Sequence, residues 1–205
     1  MASASDIHSA QKICIVSYNA GNVQSVLFAL KRLGVTATVT ADETLLRNAD
    51  KIIFPGVGNA GAAMQSLQET KLDTIIPTLQ KPVLGICVGM QLLCRYSEES
   101  DTTCLGIIDA AVKKFESAPG IKVPQMGWNS IYDLNSDLLK GIPENSFVYY
   151  VHSYYAELCA HTVAKTTYTL PYSAVLQKDN FYGVQFHTEK SANIGDAILS
   201  NFLSL

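Results

Sequence analysis

Three features of the sequence predict an α/β fold: a central, mostly parallel sheet flanked by helices, with antiparallel strands added in the second half. Short apolar, β-branched runs alternate with stretches of helical spacing through the first half, the pattern of strands buried on both faces. Residues 85–89 form a Gly-x-Cys-x-Gly turn between a strand-like and a helix-like stretch. After Glu99 the helical spacing gives way to strand-sized runs, and returns only near the end.

Residues 12–18 (KICIVSY) read as the first buried strand, and Tyr18-Asn19-Ala20-Gly21-Asn22 as a turn. Val23, Val26, Leu27, Leu30 and Leu33 recur at i, i+3, i+4 and predict a helix that Gly34 stops. Residues 35–40 (VTATVT) predict a second strand, 44–48 a short helical connection, and 51–54 (KIIF) a third strand. A glycine-rich loop at 55–61 leads into a long helix reaching about Leu79, and Pro82 opens the strand before Cys87. In the second half, strands are expected at 105–115, 127–133, 146–158 and 162–168. Residues 173–177 and 181–187 read as a hairpin across Lys178-Asp179-Asn180, and Ile194, Ile198, Leu199 and Phe202 place a closing helix in 191–205.

The 205 residues suit one domain, expected over 12–205, and 48% hydrophobic content excludes a disordered chain. A formal net charge of −3 without a basic run argues against nucleic acid or an anionic membrane as partner. No apolar run is long enough for a membrane-spanning helix. Residues 1–11 lack the apolar core of a signal peptide and read as a flexible extension. Five cysteines, with no Cys-x-x-Cys pair, predict neither a disulfide framework nor a zinc site. Free thiols in an acidic chain fit a reducing compartment, the cytoplasm, and nothing in the sequence calls for a metal or cofactor.

Gly85-Ile86-Cys87-Val88-Gly89 is the cysteine form of a nucleophile elbow, which lifts a reactive side chain above the sheet between strand and helix. Cysteine is more often a buried packing residue; the flanking glycines and the strand-to-helix switch favour a nucleophile, with the following helix N-terminus favouring thiolate. A thiol nucleophile needs a base, and the base needs an orienting partner. His8 lies in the expected extension and His161 in a polar turn. His152 has no acidic neighbour, whereas in His187-Thr188-Glu189 an extended chain puts histidine and glutamate on one face. Alone, such a pair reads as a surface ion pair; with the elbow it reads as base and orienter. Gly56-Val57-Gly58-Asn59-Ala60-Gly61 fits a dinucleotide fingerprint, but it follows the third strand rather than the first and has no acidic residue for a ribose. Its backbone N–H groups suit an oxyanion better.

These residues resemble the class I, triad-type glutamine amidotransferases from Lys12 onward, and more narrowly the glutaminase subunits of imidazole glycerol phosphate synthase. The segments that carry the resemblance are Pro55-Gly56-Val57-Gly58, the elbow through Leu93, Met126-Gly127-Trp128-Asn129, and Gly183-Val184-Gln185-Phe186-His187 with Glu189-Lys190-Ser191. The Tyr18 to Asn22 turn and His152-Ser153-Tyr154 narrow it. The resemblance implies a flavodoxin-like three-layer fold and hydrolysis of L-glutamine by Cys87, His187 and Glu189 through a thioester. It implies an oxyanion held by the Val57 and Val88 N–H groups. By position, Gly56, Gly58, Gln91, Glu99, Ser153 and Tyr154 match residues around the substrate, and Asn22, Trp128 and Lys190 match a subunit interface. The implied partner is a (β/α)8-barrel cyclase that takes the ammonia, in a heterodimer serving histidine biosynthesis.

Two departures stand out. Thr188 occupies a position where the family usually has proline, so the triad is expected to form with less pre-organisation. Cys94 and Arg95 replace an aromatic and an acidic residue, and Cys94 is expected to be a packing cysteine. A glutaminase subunit of another synthase, such as that of pyridoxal phosphate, is opposed by residues 126–129 and the His-Ser-Tyr run. A non-catalytic flavodoxin-like module would have no use for Cys87, His187 and Glu189 together.

Overall fold

The computed structural model of the chain describes residues 11–18, 22–117 and 120–205. The extension expected at 1–11, Gln11 excepted, and residues 19–21 of the expected turn lie outside them. The main sheet has seven strands: β1 (Ile13–Val16), β2 (Ala37–Thr40), β3 (Lys51–Gly56), β4 (Val83–Cys87), β11 (Thr162–Thr167), β12 (Pro171–Lys178) and β13 (Phe181–Val184), in the order β11-β12-β13-β4-β3-β1-β2. From β13 to β2 every pair is parallel; β12 and β11 continue the sheet antiparallel. Every residue of β1, β3, β4 and β13 is buried, as expected of strands covered on both faces.

The covering helices are α1 (Val23–Arg32), α2 (Glu43–Arg47), α3 (Ala60–Glu69), α4 (Leu72–Ile75), α5 (Val88–Leu93) and α6 (Ala192–Ser204). Of the predicted stripes, Val26 and Leu30 on α1 and Ile198, Leu199 and Phe202 on α6 are buried, while Val23, Leu27, Leu33 and Ile194 are partly buried against the core; Ala29 and Leu203 join the buried rows. The long helix expected from 61 to 79 is instead broken at Lys71, which sits at φ 60, and continues as α4 and a 3-10 turn over Ile76–Thr78.

A second sheet, in the order β10-β7-β5-β6, joins β5 (Cys94–Ser97), β6 (Thr102–Thr103), β7 (Ile108–Lys114) and β10 (Tyr154–Ala156). Strands β8 (Gln125–Ile131) and β9 (Ser146–His152) pair antiparallel. The single strand expected over 146–158 is thus two. Its break is Ser153, whose carbonyl accepts from Phe115 N–H as the chain passes from one sheet to another. The expected hairpin forms, but its second strand ends at Val184, short of His187.

The ends of β3, β4 and β13 meet. Gly56 lies opposite Cys87 and Val184 opposite Ile86, at the carboxyl edge where open parallel sheets collect their ligands.

Candidate active site

Cys87 closes β4 with φ 54 and ψ −112, and α5 starts at the next residue. A non-glycine residue there is strained, and the packing around it explains why it stays. A Cβ on Gly89 would strike the Phe54 carbonyl oxygen, and one on Gly56 would strike the Gly89 and Val88 backbone. Both glycines let α5 press its first turn onto the end of β3, so Cys87 has no room to relax. The six-residue α5 carries little macrodipole, and the nearby N–H groups of its first turn, which lack partners within the helix, supply the local positive charge.

His187 follows β13 and is buried. Its Nδ1 lies 2.8 Å from Glu189 Oε1, while its Nε2 has no hydrogen-bond partner among the described residues. The pairing expected of the sequence therefore forms, but not by strand alternation: residues Thr188–Lys190 make a 3-10 turn that curls Glu189 back to the ring. That turn is clamped to β9. His187 N–H donates to Tyr149 O (2.9 Å), Tyr149 N–H donates to Ser191 Oγ (2.9 Å), and Ser191 Oγ donates to His187 O (2.6 Å). Burial works against a charged His187 ring, but attraction to Cys87 and Glu189 outweighs it and holds the imidazole well above its ordinary pKa.

Cys87 and His187 line one cavity of about 310 Å³, together with Val57, Gly58, Val88, Gln91, Glu99, Ser153 and Tyr154. Of the positions matched to a substrate, Gly56 alone is not on this wall; its place is under Gly89. The Glu99 carboxylate accepts from Ala60 N–H at 2.7 Å, and burial raises its pKa against that bond. Gln91 Nε2 donates to Tyr154 O (2.8 Å) and to Gln185 Oε1 (3.0 Å), and Gln185 Nε2 in turn lies 3.8 Å from Cys87 Sγ.

Sequence reasoning gave Gln185 no role and made His152 a weak rival base. His152 does reach the cavity wall, where its Nδ1 lies 2.7 Å from Tyr154 O and its Nε2 3.1 Å from Tyr172 OH. Gln185 was findable: it stands two residues before His187, the spacing that singled out Glu189. Cys94 is fully buried, its thiol pushed up by burial, as a packing cysteine would be. Among the described residues no group of three or more His, Cys, Asp or Glu side chains is placed to hold a metal.

The three positions matched to a subunit interface lie on separate elements. Asn22 precedes α1, Lys190 is exposed at the end of the 3-10 turn, and Trp128 is 53% exposed on β8, edge-on to Tyr149 at 5.9 Å. Pairing of β8 with β9 puts Met126, Trp128, Phe147, Tyr149 and Val151 on one face. Met126 and Phe147 are exposed too, and Val151 reaches the cavity.

The family profile described as glutamine amidotransferase class-I matches residues 15–204. The chain is 54% identical over 195 residues to imidazole glycerol phosphate synthase subunit HisH of Bacteroides thetaiotaomicron, covering 95% of this chain and 100% of that one. It is 44% identical to the Yersinia pseudotuberculosis subunit of the same name, covering 94% and 99%. Among solved structures, a glutamine amidotransferase superposes with a TM-score of 0.71 at 18% identity, covering 93% of this chain and 97% of the other. PurLQS from Thermotoga maritima superposes equally well, at TM-score 0.71 and 18% identity, covering 95% and 98%. The structural likenesses carry the fold, and the profile and the close relatives carry the rest: the chain belongs to the class I glutamine amidotransferases and, within them, to the HisH subunits of imidazole glycerol phosphate synthase.

Proposed function

We propose that the chain hydrolyses L-glutamine to glutamate and ammonia with Cys87 as nucleophile, His187 as proton carrier and Glu189 as the group that orients His187. One observation carries the reading. Cys87 and His187 open onto the same cavity, and Glu189 holds His187 through Nδ1, leaving Nε2 for the reacting atoms. Sγ attacks the carboxamide carbon, and His187 delivers a proton to the departing nitrogen, so that ammonia leaves and a thioester remains. Water, its proton taken by His187, then opens the thioester to glutamate and restores the thiol. The oxyanion of each tetrahedral stage falls to the N–H groups of Val57 and Val88, which line the cavity with Cys87.

Gln91, Glu99, Ser153, Tyr154 and Gly58 then enclose the amino-acid end of the substrate. Both N–H donors of Gln91 are spent on Tyr154 and Gln185, which leaves its Oε1 to accept from an ammonium. Glu99 offers the matching negative charge.

We further infer that the ammonia passes to a (β/α)8-barrel cyclase subunit, because free ammonia in bulk water would be protonated and lost. The exposed apolar face of β8 and β9, continuous with the cavity through Val151, suits such a partner.

Glutamate release, measured alone and with a cyclase subunit plus its nucleotide ligand, tests both parts. Activity is expected to rise on adding the partner and to vanish in Cys87→Ala. Activity surviving in Cys87→Ala would overturn the mechanism, and activity indifferent to the cyclase would overturn the partner.

A further inference from the structure

We propose that Gln185 is a catalytic residue that donates an N–H to the Cys87 sulfur and stabilises it as a thiolate; this rests on the reading of Cys87 as nucleophile. The orientation of its amide follows from a group that has no choice. The Tyr154 carbonyl can only accept, so the end of the Gln91 amide 2.8 Å from it is the NH2. That same nitrogen lies 3.0 Å from the Gln185 amide. Two NH2 ends cannot face each other at this distance, so Gln185 presents Oε1 to Gln91. Its remaining end, Nε2, is therefore the one 3.8 Å from Cys87 Sγ. A single backbone carbonyl fixes two side-chain amides and aims an N–H at the sulfur.

The rest of the setting favours the same role. Gln91 and Gln185 are 2% and 0% exposed, so solvent does not compete for their hydrogen bonds. Gln185 is also held by its backbone, whose N–H donates to Ala174 O at 2.9 Å. The sulfur has a second polar neighbour, the Val151 carbonyl, at 3.9 Å. A carbonyl accepts from the thiol and has nothing to give a thiolate, so it favours the protonated sulfur. With the proton on His187 instead, Gln185 has an N–H to offer the sulfur and Val151 does not. The two neighbours thus pull ionisation in opposite directions, and Gln185 is the one that acts as charge appears.

The rate at which iodoacetamide alkylates Cys87 at pH 7, read by mass spectrometry of its peptide in the full chain, tests this directly. Gln185→Met keeps the volume and removes the donor. Its Cys87 is expected to react roughly tenfold more slowly than in the wild type, the scale of one hydrogen bond to a charged atom. Gln185→Glu keeps the shape and turns a carboxylate oxygen toward the sulfur, so it is expected to be slower again, and it serves if the methionine variant does not fold. Thermal unfolding shows which variants are folded. A folded variant of either kind that is alkylated at the wild-type rate overturns the proposal. Glutamine hydrolysis that survives in Cys87→Ala would instead remove the nucleophile reading, and the alkylation rates would not register it.

Discussion

Burial acts on the two cavity histidines in the same direction, against the imidazolium, and what each ring touches decides the result. His187 faces the Cys87 sulfur and the Glu189 carboxylate, whose hydrogen bonds and negative charge favour its protonated form, and it is held protonated more readily than usual. His152 faces a carbonyl and a phenol. Burial lowers it to about 4; the Tyr154 carbonyl resists and the nearby His187 pushes the same way as burial. Because the Tyr154 carbonyl must accept, the neutral ring carries its proton on Nδ1 and turns Nε2 to Tyr172 OH. In the unfolded chain this histidine titrates near 6.5. Below that value the unfolded state binds a proton the native state refuses, so the contribution present above pH 6.5 is lost as pH falls toward 4. Between pH 7 and pH 5 the loss should reach about 2 kcal/mol. Urea unfolding at the two pH values should show it in the wild type and not in His152→Gln; equal pH dependence in both proteins would refute it. None of this was visible in the sequence, where His152 had no acidic neighbour. Its partner Tyr172 lies twenty positions away on another strand, and only the packing of β9 against β12 brings the two together.

At the scale of elements, the parallel half was legible because its strands are apolar throughout and its helices keep a clean stripe. What escaped was set by distant contacts. Strand β5 has four residues and no strong alternation; it exists because β6 and β7 pair with it on either side. Lys71 breaks the helix after α3 without any glycine or proline to announce it. The 3-10 turn after His187 was read as extended chain because the two conformations bring the same two side chains together. That turn also bears on the one departure in the triad segment. Thr188 was expected to loosen it, yet the turn is pinned at both ends by backbone bonds and by Ser191, and Gly195 packs on the Thr188 carbonyl. Thr188 Oγ1 is buried without a hydrogen-bond partner, so the hydroxyl is a cost rather than a support. Thr188→Pro, at the first position of the turn, should therefore leave glutaminase activity within about twofold of wild type and raise stability by roughly 0.4–1 kcal/mol through the unfolded chain. Steady-state kinetics with a thermal melt would check it, and a several-fold fall in kcat would show that the threonine supports the triad.

Taken whole, the molecule runs the apolar row of β9 up to the cavity that holds Cys87 and His187. Alternation along β9 sends Val148, Tyr150 and His152 into the core and Phe147, Tyr149 and Val151 outward. The outward row reaches the site twice: Tyr149 holds the His187 backbone, and the Val151 carbonyl touches the Cys87 sulfur. A protein docked on Met126, Trp128 and Phe147 would therefore press on a strand that contacts both Cys87 and His187. The motif carrying Trp128 was legible in the sequence; its exposure was not, since a lone tryptophan is as easily a core residue. Trp128→Ala removes the largest apolar side chain on this face without altering β8 backbone pairing. It should weaken cyclase binding by about 2 kcal/mol, the scale of a tryptophan at the centre of an interface, and lower partner-stimulated glutamate release at limiting cyclase. Alkylation of Cys87 in the free chain should stay at the wild-type rate, because the indole is not in the cavity wall. Binding measured by calorimetry beside that alkylation rate separates the two effects: unchanged affinity would place the partner elsewhere, and altered alkylation would mean that Trp128 acts on the site through Tyr149 rather than on the partner.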